Sequence, residues 1–208
     1  MYTGFPDIAE ELEIFSISAD DAIGGTGARE VIVSNLLDEN FNRMPDITVS
    51  LNGTTPVSVN AGQTYIRASR MIVTLSGSSQ RNVGEITLRH KTTTANVFAV
   101  MPASAGQTQI FNFTVPAGYK FDVFNGYISV SRASGAAGSI DLDLQLKSFG
   151  SNTFRTLRPL PLTTSGQFLL GNGLIFPEKS DFRSRLNSVS DNGTNVSCFI
   201  EGMLRKIT

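Results

Sequence analysis

The sequence predicts an all-β protein: an antiparallel β-sandwich, jelly-roll-like, built either as one large domain or as two successive small sandwiches. Three observations carry this. Apolar and polar residues alternate with a period of two along many short segments, the signature of half-buried strands. Turn residues such as Asn52-Gly53, Ala61-Gly62, Pro116-Ala117-Gly118, Gly171-Asn172-Gly173 and Asp191-Asn192-Gly193 separate those segments and supply the positive-φ positions that hairpins require. No segment of helical length keeps a 3.6-residue apolar period.

Taken in order, residues 1–11 are mixed in character and read as an N-terminal arm, with Pro6 limiting any helical turn over Ile8–Leu12. The period of two begins at Leu12, with Leu12, Ile14 and Ile17 among β-branched and aromatic neighbours, and Asp20-Asp21 and Gly24-Gly25 break it. Strands are then expected over Ala28–Asn35, Asp46–Leu51, Pro56–Val59, Thr64–Leu75, Gly84–His90, Asn96–Met101 and Thr108–Thr114. Further strands are expected over Tyr119–Ser131, Ser139–Lys147, Thr153–Leu160, Gly166–Leu170, Ser180–Asn187 and Thr194–Arg205. Within the fourth, Met71–Leu75 is apolar enough for a central strand. The cleanest alternation is Ile140 to Lys147: Ile140, Leu142, Leu144 and Leu146 face a core, while Asp141, Asp143, Gln145 and Lys147 face water or a polar partner. Pro102–Gln109 is small, uncharged and turn-rich, so the division falls near 104, giving halves of 12–104 and 105–208.

A chain of 208 residues can bury a substantial core. With 17 basic and 18 acidic side chains it lacks the basic footprint that nucleic acid or an anionic membrane would require, so neither is expected as a partner. One cysteine, Cys198, rules out an intramolecular disulfide framework. The N-terminus has neither the basic region nor the apolar core of a signal peptide, which predicts synthesis for a cytoplasm.

Chemistry-bearing residues are few. Asp141 and Asp143 share a strand face, as a glycosidase carboxylate pair might, yet alternating charge is what a solvated face looks like. Asp20-Asp21 with Asp38 or Asp46 offers oxygens for calcium, but at no established loop spacing, and turn capping accounts for them more simply. His90 is the only histidine and ends a strand with no nucleophile motif nearby. Cys198 alternates with Val196 and Ile200, as a core thiol does. One histidine and one cysteine cannot make a usual zinc site. Gly24-Gly25-Thr26-Gly27 lacks the lysine and following helix of a phosphate loop, and Val31-Ile32-Val33 continues as a strand instead. No catalytic, metal or cofactor residue is therefore expected. Arg29, a charge opening an apolar strand, implies a carboxylate or backbone carbonyls within reach.

An ordered set of motifs adds to this reading. It runs Gly25-Thr26-Gly27-Ala28-Arg29-x-Val31-x-Val33, Leu36-Leu37-Asp38-Glu39-Asn40-Phe41, Val49-x-Leu51-Asn52-Gly53-Thr54-Thr55-x-Val57 and Tyr65-Ile66-Arg67-x-x-Arg70-Met71-x-Val73. Gly77-Ser78, Asn82-Val83-Gly84-x-Ile86 and Gln107-Thr108-Gln109 leading to Phe113-Thr114-Val115-Pro116-Ala117-Gly118 complete it. Over residues 15–147 this set resembles a family of tailed-bacteriophage virion structural proteins, whose N-terminal lead is usually longer. The resemblance implies a non-enzymatic virion component, assembled in the host cytoplasm: foremost a capsid decoration or head-associated protein. Neck, tail, fibre-base or host-glycan-binding roles are the alternatives. It further implies the major capsid protein or other virion proteins as partners, and a homo-oligomer, with a trimer favoured. Ser76–Asn82, Ala133–Ser139 and Ser165–Asn172 are the expected contact loops.

Overall fold

In the computed structural model residues 5–132, 138–163 and 166–207 are described, over 166–173 by backbone alone. The fold is all-β and antiparallel, with no helix among the described residues. Fourteen strands follow one another among the described residues: β1 (Leu12–Ser16), β2 (Ala28–Ser34), β3 (Ile47–Ser50), β4 (Val57–Ser58), β5 (Arg70–Ser76), β6 (Ile86–His90) and β7 (Val97–Met101). Then come β8 (Asn112–Thr114), β9 (Tyr119–Arg132), β10 (Ile140–Lys147), β11 (Arg155–Leu162), β12 (Gly166–Phe176), β13 (Asp181–Val189) and β14 (Thr194–Lys206). The chain divides into two compact units, residues 1–110 and 111–208. The stretch expected to mark the boundary near 104 lies inside the first unit. Its Val73 N–H donates to Gly106 O, and the Thr108 N–H donates to Met71 O.

The first unit packs two sheets, ordered β4-β1-β6-β7 and β3-β2-β5, around one core. Alternation explains which side chains enter it. Leu12 and Ile14 of β1, Ile86 and Leu88 of β6, and Phe98 and Met101 of β7 come from one sheet. Val31 and Val33 of β2, Val49 of β3 and Met71 of β5 come from the other. Ile17, counted with Leu12 and Ile14 in the strand signal, follows the end of β1 and is exposed; Ser16 takes the next inward place. Residues 5–11 are tied down. Glu10 and Tyr65 exchange backbone hydrogen bonds, Arg67 Nη1 donates to Pro6 O, and the Arg67 guanidinium lies 5.3 Å from the Phe5 ring centre.

The long strand expected over Thr64–Leu75 is divided. Tyr65 bridges Glu10, Arg67 bridges Leu37, and regular pairing begins only at Arg70. A stretch that changes neighbours cannot keep one ladder. For the same reason β5 is not central: it pairs with β2 on one side and meets Gln107 in a single bridge on the other.

The second unit also has two sheets, ordered β11-β10-β13-β8 and β12-β9-β14. Apart from the β10–β11 hairpin, each strand lies in the opposite sheet from its predecessor, a jelly-roll-like order. Ile140, Leu142, Leu144 and Leu146 of β10 face Val123, Ile128 and Val130 of β9 in a single core, as the alternation of β10 predicts. The Phe176 and Phe182 rings stack with centres 4.7 Å apart and join the two layers. Gly171-Asn172-Gly173, expected as a turn, lies within β12. The β12–β9 register shifts between Leu169 and Leu174, so the extra residues are absorbed as an irregularity and the strand resumes.

Phe182→Ala removes a ring that is 2% exposed and packed on both Phe176 and Phe111. It is expected to destabilise the second unit by about 3–5 kcal/mol in denaturant unfolding. Phe149→Ala, at a ring 62% exposed, is expected to lose less than about 1 kcal/mol.

Candidate functional site

The chain leaves β1 in one sheet at Ser16 and enters β2 in the other at Ala28, so residues 17–27 must turn a corner. The turn is built on one buried carboxylate. Asp21 Oδ1 accepts the Ala28 and Val83 N–H groups, each at 2.8 Å. Its Oδ2 accepts the Ser16 hydroxyl at 2.6 Å and the Gly84 N–H at 2.8 Å. A carboxylate is expensive to bury unless donors replace its water, and four donors do so here.

Backbone contacts draw in the neighbouring motifs. Gly53 N–H donates to Asp21 O, and Ser16 N–H to Gly53 O. Gly77 N–H donates to Gly27 O at 2.8 Å, while the Ser79 N–H and hydroxyl both reach Thr26 O. Buried Asn82 spans the next layer: its Nδ2 donates to Gly84 O and Pro102 O, and its Oδ1 accepts the Gly106 N–H. Arg29 Nε donates to Gly25 O at 3.0 Å, the backbone carbonyl its position implies. Chain separation is so small that side chains do not fit. A Cβ on Gly27 would lie 2.1 Å from Asp21 Oδ1, and one on Gly77 would lie 2.4 Å from Gly25 O.

The glycine loop, the Asn52-Gly53 turn, Gly77-Ser78 and Asn82-Val83-Gly84 are separate in sequence and form one corner in the fold. Around it Ile17, Ile23 and Val83 are exposed, at 66, 71 and 38%. The expected contact loop Ser76–Asn82 belongs to this corner. Of the other two, residues 133–137 and Ser165 lie outside the described residues, and Gly166–Asn172 is strand rather than loop.

The remaining candidates are not brought together. No three of His, Cys, Asp and Glu converge among the described residues. Asp38, a possible calcium ligand by sequence, caps its own turn by accepting the Asn40 and Asn42 N–H groups. Asp143 is held below the usual carboxylate range by Asn187, Thr156 and Gln145 side chains and the nearby Arg185 charge. Held ionised, it is no general acid near neutral pH. The Cys198 thiol is partly buried, which pushes it up to about 11, so at neutral pH it stays a thiol. His90 is fully buried against Phe98, its Nδ1 3.2 Å from Asn96 Nδ2 and 3.6 Å from Glu10 Oε1. Burial holds its imidazole below the ordinary value in spite of Glu10. Compared with family models, curated proteins and solved structures, the chain matches none.

Asp21→Ala strands several buried donors at roughly 1–3 kcal/mol each, so a loss of at least about 3 kcal/mol is expected by denaturant unfolding. Gly27→Ala should be nearly as damaging. Gly24→Ala, where a Cβ meets nothing within 4 Å but φ is +86°, should lose only about 1 kcal/mol.

Stability should also depend on pH. The His90 pKa in the fold lies below that of the unfolded chain, so on acidification the unfolded chain takes up the proton first. Stability present above the unfolded value near 6.5 is lost as pH falls toward the folded one. Burial raises the Glu10 pKa, but the Thr93 hydroxyl and N–H outweigh it, and its lowered value adds a loss of the same sign below 4.5. Urea unfolding from pH 7 to 5 should show this decline, and His90→Phe should flatten it.

Proposed function

We propose that this protein is a non-enzymatic bacteriophage virion component, foremost a capsid decoration or head-associated protein that works through protein–protein contacts. One observation carries the reading. Four of the motifs that resemble the virion family, the glycine loop, Asn52-Gly53, Gly77-Ser78 and Asn82-Val83-Gly84, meet in a single corner whose buried Asp21 and Asn82 are hydrogen-bonded and whose rim carries exposed isoleucine and valine. A corner of this kind is suited to presenting Ile17, Ile23 and Val83 in fixed positions to another protein surface. Preorganised apolar groups bind without a large ordering cost.

The partners on this reading are the major capsid protein or other virion proteins, and further copies of the chain. A standard interface buries roughly 800 Å² per partner, more than three exposed side chains supply, so loops beside the corner would contribute. Ser78 to Arg81, exposed and pinned to Thr26, are placed to do so.

The test is location. Virions purified from a culture that produces the chain should contain it, and cryo-electron microscopy should show its density over the head with the Ile17–Ile23–Val83 rim in contact. Ile23→Asp should reduce particle occupancy at least about tenfold while the free protein keeps its melting temperature, because Ile23 is already exposed. Density at the neck, tail or fibre base would move the protein within the particle. Absence from purified virions would overturn the reading.

A further inference from the structure

The second unit leaves one strand edge unprotected. Edge strands invite pairing with other chains, and proteins usually block them by shortness, proline or irregularity. The edge strand β8 has three residues. The edge strand β11 carries Pro159 and Pro161, which have no N–H to offer. The edge strand β12 is interrupted by its register shift. β14 is different. It runs for 13 residues without proline, β9 is its only sheet neighbour among the described residues, and the one register shift between them, at Glu201–Gly202, places the extra residue, Phe124, on β9 and leaves β14 regular.

Its outward residues are Asn195, Ser197, Phe199, Glu201, Met203 and Arg205, alternating strictly with half-buried ones. Phe199 is 61% and Met203 48% exposed; Ile207, just beyond the strand, is 47% exposed. On β9, Tyr127 stands opposite Phe199 and is itself exposed, so the apolar surface continues across the sheet. Between Phe199 and Ile207 the strand carries Glu201, exposed and without an ion partner among the described residues. It also carries Arg205, held in place by Asp122 at 2.8 Å yet still half exposed.

This order of side chains is complementary to its own reverse. When two copies of β14 pair antiparallel about a two-fold axis at Met203, Met203 meets Met203 and Glu201 meets Arg205 on each side. Phe199 then meets Ile207. No other antiparallel register sets Glu201 against Arg205: an axis at Glu201 or at Arg205 would oppose like charges, and an axis at Gly202 sets Glu201 against Met203. Directly opposed cross-strand pairs are where charge and apolar matches count most. A two-fold axis makes one such patch serve both partners.

We infer that β14 is a self-association edge, through which two copies of this chain join their β12-β9-β14 sheets into one continuous sheet centred on Met203. At this surface a two-fold pair takes the place of the trimer expected from the resemblance. The inference does not depend on the virion reading, because it is tested with the purified full-length protein alone.

The test uses Cys198→Ser as background, so that an introduced cysteine is the only thiol. Opposed residues of an antiparallel pair lie about 4.5–5.5 Å apart at Cα, within disulfide reach. Met203→Cys should therefore form a disulfide-linked dimer under mild oxidation. Glu201→Cys and Phe199→Cys, which stand away from the axis, should give at most about a tenth of that yield. Sedimentation equilibrium should find the unmodified protein dimeric at micromolar concentration, with Glu201→Arg weakening the dimer at least about tenfold, since it sets like charges together twice. A monomer throughout this range, a trimer, or equal cross-linking at residues 199, 201 and 203 would each overturn the inference.

Discussion

The first unit depends on a negative charge placed where water cannot reach it. Asp21 sits at the crossing between two sheets, and its four donors come from the end of β1, the start of β2 and the loop before β6. Each donor would be orphaned without it, because backbone N–H groups at a sheet corner have no ladder partner. The carboxylate thus serves as the ladder that a corner lacks. Its geometry also explains why the surrounding chain is made of glycine, serine and asparagine. Backbones must approach within hydrogen-bonding distance of the carboxylate and of each other, and a Cβ at Gly27 or Gly77 would occupy that space.

Strands were legible in the sequence wherever one face is buried. β2, β6, β7, β9, β10, β13 and β14 lie within a residue or two of the expected segments, because alternation reports burial directly. The strand expected over Thr108–Thr114 is shorter, with β8 beginning only at Asn112 while Thr108 bonds to Met71, and two further stretches were not legible, for different reasons. Thr64, Tyr65 and Ile66 all favour strands, yet Tyr65 and Arg67 take partners in different places, and pairing partners leave no mark on local composition. At Gly171-Asn172-Gly173 the turn residues are present, but β12 absorbs them as an irregularity against the continuing β9. Turn chemistry permits a reversal without compelling one.

The corner was legible in its parts and hidden as a whole. The glycines, the Asn52-Gly53 turn and Asn82-Val83-Gly84 each stand out in the sequence, and Asp20-Asp21 attracts notice as a possible cation loop. That Asp21 gathers these segments around itself depends on donors as far away as residue 84. A buried acid bonded to amides and a calcium ligand look alike in sequence, since both are carboxylates among turn residues. Only the donors around the oxygens distinguish them. The same holds for Cys198 and His90, whose burial removes the reactivity that their residue types suggest.

What the fold does with its polar groups bears on how it can act. Inside the first unit the buried Asp21, Asn82 and Arg67 are all engaged with backbone and stabilise an irregular chain path. Asp143, one of the two acids that suggest a carboxylate pair by sequence, is bound up with Thr156 and Gln145 on its own sheet face. Large apolar side chains are exposed beside these engaged groups: Ile17 and Ile23 at the corner, Phe199 and Met203 on β14. An exposed isoleucine or phenylalanine gains nothing from water and gains from any matching surface. Exposed apolar groups on a scaffold whose corner polar groups are hydrogen-bonded internally favour contact with another surface. The rigid corner bears on this as well, since contacts held in fixed positions lose little entropy on docking.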